Sequence, residues 1–106
     1  MTVNRLCEKL PLTALNQEED RAVRGVFCCD LLSVAMAKAP EDSAWVTVIG
    51  NTNTVAVATL TDVACIVLAE GFSFDDAAIN AAKGKITLLK SDKPVYETAV
   101  SIGALL

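Results

Sequence analysis

Between Trp45 and Gly71 the chain reads WVTVIGNTNTVAVATLTDVACIVLAEG: a β-branched apolar run, a glycine, a polar stretch that turns apolar at helical spacing, a second apolar run and a second glycine. That order predicts strand, turn, helix, strand, turn, which is one βαβ crossover in about the shortest form it takes. The strands Ala44 to Ile49 and Val63 to Ala69 are almost continuously apolar, the pattern of strands covered on both faces at the centre of a sheet. Between them, Asn51-Thr52-Asn53-Thr54 offers caps for a helix expected to turn Val55, Ala56, Ala58, Thr59 and Leu60 toward the sheet and to end at Asp62.

The flanking segments repeat the alternation. Thr2 caps a first helix with apolar positions Val3, Leu6, Cys7 and Leu10, stopped by Pro11. A short extended piece spans Leu12 to Leu15, and Asn16 to Asp20 is an acidic turn. Val23 to Cys29 reads as a strand interrupted at Gly25 by a bulge, and Asp30 as the cap of a helix through Lys38. Ala39 to Asp42 connects to the first central strand. Gly71 and Ser73 lead into a helix from about Asp75 to Lys83, stopped by Gly84. Ile86 to Leu89 is a short strand. Pro94 opens a last helix with Val95, Thr98, Ala99, Ile102 and Leu105/Leu106 on one stripe, suited equally to the core and to an interface. The expected class is α/β: a layered α/β/α fold with a mostly parallel sheet and right-handed crossovers, in one domain over residues 1–106.

Composition narrows the function. Of 106 residues, 53% are hydrophobic but only 5% aromatic, which suits a tightly packed small core better than an aromatic-lined cleft. The net charge is −4 and the nine Lys and Arg are scattered, so a nucleic-acid interface is not expected. No run reaches the length of a membrane span, and Arg5, Glu8 and Lys9 interrupt the start where a secretory core would lie, so a cytoplasmic protein is expected. Cys7, Cys28, Cys29 and Cys65 form no C-x-x-C pair, and there is no histidine. No metal or other cofactor is implied, Cys7 and Cys65 read as small buried hydrophobes, and the adjacent Cys28-Cys29 pair lacks a neighbouring cation to activate a thiol. Without histidine, the common catalytic triads and the usual neutral-pH base are missing, and neither G-x-x-x-x-G-K-[ST] nor G-x-G-x-x-G occurs. A non-enzyme is expected.

In parallel sheets, ligands sit where loops leave the carboxyl ends of the strands. Three such loops are expected: Gly50 to Thr54, Glu70 to Phe74 and Lys90 to Pro94. Gly50 allows close backbone approach, and Asn51, Thr52, Asn53 and Thr54 supply hydrogen-bonding groups for an anion or phosphate; the alternative is a well-capped helix with no ligand. Glu70 and Gly71 stand at the second loop, and Ser91 and Asp92 at the third.

From Gly50 onward the spacing of Gly50, the apolar run Cys65-Ile66-Val67-Leu68, Gly71-Phe72, Asp75 or Asp76 and the closing Pro94-x-Tyr96-Glu97-Thr98 resembles the DRTGG domain, a regulatory module of some phosphotransacetylases and CBS-containing inorganic pyrophosphatases that also occurs as a stand-alone small protein. Upstream, Asp20-Arg21, Gly25-Val26 and Asp30-Leu31-Leu32-Ser33 are similar to the opening segment of the stand-alone members. The resemblance implies the fold of the N-terminal domain of HPr kinase/phosphorylase, without that enzyme's phosphate-binding loop or its activity. Both name-giving motifs are altered: Gly50-Asn51-Thr52 replaces Gly-Asp-Arg, removing a fixed cation, and Ala69-Glu70-Gly71 replaces Thr-Gly-Gly. The resemblance implies a homodimeric, non-catalytic module that senses a nucleotide or phosphorylated metabolite. The alternative it leaves open is a dimerising protein-interaction subunit of a signalling or hydrogenase-associated redox system, with no small-molecule ligand.

Overall fold

The computed structural model describes residues 1–106. In chain order it contains α1 (Val3–Lys9), β1 (Thr13–Asn16), β2 (Gly25–Cys28), α2 (Leu32–Lys38), β3 (Ser43–Thr47), α3 (Thr52–Thr61), β4 (Cys65–Leu68), α4 (Asp76–Ala82), β5 (Thr87–Lys90) and α5 (Val95–Gly103). The five strands form one sheet in the order β1-β5-β4-β3-β2. β2 to β5 are parallel, and β1, whose place the sequence left open, runs antiparallel on the edge beside β5 with Thr13 opposite Lys90. The chain is thus an α/β fold with a five-stranded, mostly parallel sheet. No helix is long and apolar enough to cross a membrane.

Side-chain alternation along the central strands explains the layers. Trp45, Ile66, Leu68 and Leu88 point to one face, where Ala35 of α2, Val55, Val57 and Ala58 of α3, and Ala78 and Ala82 of α4 cover them. Ala44, Val46, Cys65, Val67 and Leu89 point to the other, under Val3 and Leu6 of α1 and Ile102 of α5. All residues of β3 and β4 are buried, as their apolar runs predict. The Trp45 indole N–H, which would be costly to bury unpaired, donates to the Cys29 carbonyl at 2.9 Å. In α5, Ile102 is fully buried and Leu105 packs on the second cluster, while Leu106 is half exposed: that stripe mainly closes the core.

Four expectations are corrected. Gly25 makes no bulge; it is the first residue of β2, in continuous register with Ser43 of β3. Asp30 does not cap α2, whose N-cap is Leu31 with no side-chain hydrogen bond. Its carboxylate instead accepts from the Thr47 hydroxyl at 2.8 Å and the Val48 N–H at 3.2 Å, bracing the end of β3. α3 is rotated from its expected setting: Thr54, Val55, Val57 and Ala58 are buried, whereas Ala56, Thr59 and Leu60 face outward and Leu60 is 74% exposed. Ala, Val and Thr are spread evenly around this helix, so periodicity does not fix its rotation.

The fourth correction concerns Gly50. A Cβ there would lie 2.6 Å from the Ser73 carbonyl oxygen and 2.7 Å from Leu68 Cδ1. The missing side chain makes room for the molecule's own β4–α4 loop rather than for a ligand, and the Asp75 N–H donates to the Gly50 carbonyl at 3.0 Å. At the opposite, amino end, Arg21 ties the turns together: it pairs with Asp42 at 2.7 Å and Asp62 at 2.9 Å, and also donates to the Asp62 and Val63 carbonyls. Partial burial opposes its charge, but the hydrogen bonds and charges of Asp42 and Asp62 outweigh this and raise its pKa above the ordinary arginine value.

Gly50→Ala is expected to lower unfolding stability by about 1–3 kcal/mol, because the overpacked contacts include backbone that cannot rotate away. Gly25→Ala, where a Cβ meets nothing within 4 Å, is the control and should have a much smaller effect in the same urea titration.

Candidate functional site

The connections leaving the carboxyl ends of β4 and β5 diverge, to α4 on one face and α5 on the other, which is the arrangement that opens a crevice in parallel sheets. Here the crevice is laced by the chain itself. The Glu70 N–H donates to the Lys93 carbonyl at 2.8 Å and the Gly71 N–H to the Ser91 carbonyl at 3.0 Å. Glu70 and Gly71 both adopt positive φ, 61° and 73°, which aims these consecutive amides at the neighbouring loop. Ser91 is buried; its N–H donates to the Leu68 carbonyl, and its hydroxyl pairs with Thr98 Oγ1 at 3.0 Å and accepts from the Lys93 N–H. Asp92 is exposed, and its Oδ1 lies 3.7 Å from where a Gly71 Cβ would stand. Through the Gly50 contacts with Ser73, Phe74 and Asp75, the first loop joins this group, so the three predicted loops form one continuous edge.

Each helix that starts on this edge is capped by an acceptor from the same chain. Asn51 Oδ1 accepts from the Thr54 N–H at 3.1 Å at the head of α3. Asp75 Oδ1 accepts from the Ala78 N–H at 2.7 Å at α4. Pro94 has no side chain able to cap α5, and Glu70 Oε2 reaches across from the β4 loop to accept from the Val95 N–H at 2.9 Å. The Glu70 carboxylate therefore already occupies the anion position of α5. Thr52 and Asn53 are exposed, and their first-turn N–H groups have no intrahelical partner. Thr54 is buried and faces inward, so of the four residues expected to line the first loop, Thr52 and Asn53 present their side chains to solvent while Asn51 and Thr54 are engaged in the cap.

Two features of the edge escape sequence reasoning. The aromatic rings of Phe72 and Tyr96 are 55% and 77% exposed beside it, although isolated aromatics carry no pattern. Lys93 is tied to Glu70 through its backbone, a link between loops distant in sequence. Ser91 and Lys93 also border a recess of only about 10 Å³, room for about one water molecule. The larger concavities lie elsewhere. One of about 310 Å³ at the amino ends of the strands is lined by Glu18, Glu19, Arg21, Asp62, Lys85 and Thr87 among others, with Arg21 engaged as described and Glu18 accepting from Asn16 and from the Gly84 N–H. Another, about 330 Å³, runs between α3 and α4.

All four cysteines are free thiols, and no cluster of three or more His, Cys, Asp or Glu side chains converges anywhere. Desolvation and the Asp30 charge raise the Cys28 thiol pKa, and desolvation with the Asp20 charge does the same to Cys7, so neither is an activated thiolate. Cys65, fully buried in β4, is pushed up to about 12, chiefly by desolvation and further by Cys7, against a smaller lowering by Arg21.

Neither a family model nor a curated protein matches the sequence. Among solved structures, the CBS and DRTGG domains of the regulatory region of Clostridium perfringens pyrophosphatase, in complex with the activator diadenosine tetraphosphate, are similar with a TM-score of 0.75 at 13% identity, over 95% of this chain and 45% of that one. The two chains share a fold. This protein spans less than half of that regulatory region.

Two outcomes follow. Asn51→Ala and Glu70→Ala should each cost about 1 kcal/mol by removing a helix cap, with Glu70→Gln recovering part of the loss because its carbonyl oxygen still accepts from Val95. The Cys65 pKa in the folded state lies above the ordinary value of 9.0, so its contribution is fully present below pH 9 and is lost as pH rises toward 12, where the unfolded thiol ionises and the folded one does not. Chemical denaturation across that range should show stability falling less steeply in Cys65→Ala than in the wild type.

Proposed function

We propose that this protein is a non-catalytic regulatory module of the DRTGG type, cytoplasmic and homodimeric, that senses a nucleotide or another phosphorylated metabolite at the carboxyl edge of its sheet. The observation that carries this reading is the fold shared along 95% of the chain with a regulatory region held in complex with a dinucleoside polyphosphate activator. The edge formed by Gly50 to Thr54, Glu70, Gly71, Ser91 and Asp92 supports it, being the one place where three strand-end loops meet. A phosphate there would accept from the free N–H groups and side chains of Thr52 and Asn53. Such an anion would also repel the Glu70 carboxylate and weaken its hold on Val95, so that occupancy of the edge would be passed to the start of α5.

A second reading, a protein-interaction subunit of a signalling or redox system, is favoured by the 74% exposure of Leu60 on the outer side of α3. The two are separated by thermal unfolding against adenine and guanine nucleotides, dinucleoside polyphosphates and acyl phosphates. A ligand at about 100 times its dissociation constant adds about 2.7 kcal/mol, several degrees for a domain of this size. The sensor reading expects such a shift, weakened in the Thr52→Ala/Asn53→Ala double variant and strengthened in Glu70→Ala, which removes the repelling carboxylate, when each protein is compared with its own ligand-free midpoint. No shift with any member of the panel would count against the sensor and in favour of the interaction subunit.

A further inference from the structure

Resting on the sensor reading above, we infer that the nucleotide taken at the carboxyl edge carries a guanine, which lies over Gly71 against the rings of Phe72 and Tyr96 and gives its two Watson–Crick N–H groups to Asp92. The chain has five aromatic residues. Trp45 and Phe74 are buried in the core and Phe27 is packed half-buried against it. Phe72 and Tyr96 are the two left exposed, and both stand at this edge. The lacing of the crevice holds them near each other: Phe72 follows Gly71, Tyr96 follows Val95, and the Glu70 carboxylate accepts from the Val95 N–H at 2.9 Å. Gly71 lies between them along this path, and only Asp92 Oδ1, at 3.7 Å, comes within 4 Å of where its Cβ would stand. The backbone there is open to a flat ligand. Any base has a face that stacks on an aromatic ring, so the two rings call for a base without choosing which.

Asp92 makes the choice. It is exposed, and its carboxylate enters none of the ion pairs of the molecule and none of the hydrogen bonds that lace the crevice. An ionised carboxylate only accepts, with two oxygens side by side. Guanine presents two adjacent donors to it, the ring N1–H and the 2-amino group, whereas adenine presents a single amino donor beside the N1 lone pair, which a carboxylate repels. The same charge decides which way round the ligand lies. Asp92 and Glu70 keep phosphate away from the rings, while α3 has no charged residue and the first-turn N–H groups of Thr52 and Asn53 are free of intrahelical partners. The close approach of Gly50 to Ser73, the residue after Phe72, sets the head of α3 beside the base platform, and the ligand runs from one to the other.

The test is isothermal titration calorimetry of the full chain with GTP, ATP, XTP and inorganic tripolyphosphate. GTP is expected to bind at least about tenfold more tightly than ATP. Asp92→Asn, whose amide accepts with one group and donates with the other, should lose at least about tenfold for GTP and come to prefer XTP, in which a carbonyl oxygen replaces the 2-amino group. Phe72→Ser and Tyr96→Ser should each weaken GTP by about fivefold or more and leave tripolyphosphate unchanged. All three positions are exposed, and circular dichroism confirms that each variant is folded. Equal affinity for GTP and ATP, or a gain for every anion alike in Asp92→Asn, would overturn the guanine assignment and leave the sensor reading standing. Tripolyphosphate bound as tightly as GTP, or serine variants without effect, would overturn the base platform in the same way. No binding of any of the four up to millimolar concentration would overturn the assignment together with the sensor reading on which it rests.

Discussion

Every residue of β3 and β4 is buried, so their N–H and C=O groups have only neighbouring strands to pair with, and their side chains need cover on both faces. From this follow the parallel ladder to β2 and β5, the three helices on one face and the pair on the other. It also explains the amino end. Asp42 precedes β3 and Asp62 precedes β4 by a short turn, both at positive φ, and the guanidinium of Arg21 holds the two turns together. The start of the central strands is thereby fixed by one side chain with four hydrogen bonds, while at their far ends Asp30 braces β3 and the loops are joined through their backbone and the Glu70 carboxylate.

That difference matters for how the carboxyl edge can work. An open parallel sheet usually leaves its helix N-termini to water or ligand; here Asn51, Asp75 and Glu70 supply the acceptors. Asn51 and Asp75 are local caps, adjacent in sequence to what they hold. Glu70 is not, since it joins the loop after β4 to the helix after β5, and its backbone is already strained toward that position by a positive φ. The Glu70 cap is therefore a contact between two elements rather than within one.

Much of the architecture was legible because burial on both faces leaves a plain mark in sequence: WVTVI and CIVL allow few readings other than central strands. Caps adjacent to their helices were legible for the same local reason: Thr2 reads as a cap and Asn51 is among four candidates, whereas Asp75, expected inside the first turn of α4, is its cap. What failed was decided by contacts distant in sequence. Asp30 looks like a cap yet braces β3, because Thr47 offers it a hydroxyl across the sheet edge. Gly50 looks like a ligand glycine, but Ser73 and Leu68 take the space. The rotation of α3 was hidden by its even composition. Of the site, the sequence indicated the three loops; it held no sign that Glu70 would reach Val95 or that Lys93 would bind Glu70.

The placement of β1 has a consequence for how the chain assembles. β2, β3, β4 and β5 are neighbours in the sheet in the same order as in the sequence, so each crossover closes on a strand already at hand. β1 is made early but sits at the far side of β5, pairing Thr13 with Lys90. It has no partner until the last strand has formed, and its closure spans most of the chain, the costliest kind of contact to reach and the last to reward the search. On a ribosome, the first strand to emerge is thus the one that waits longest for its place.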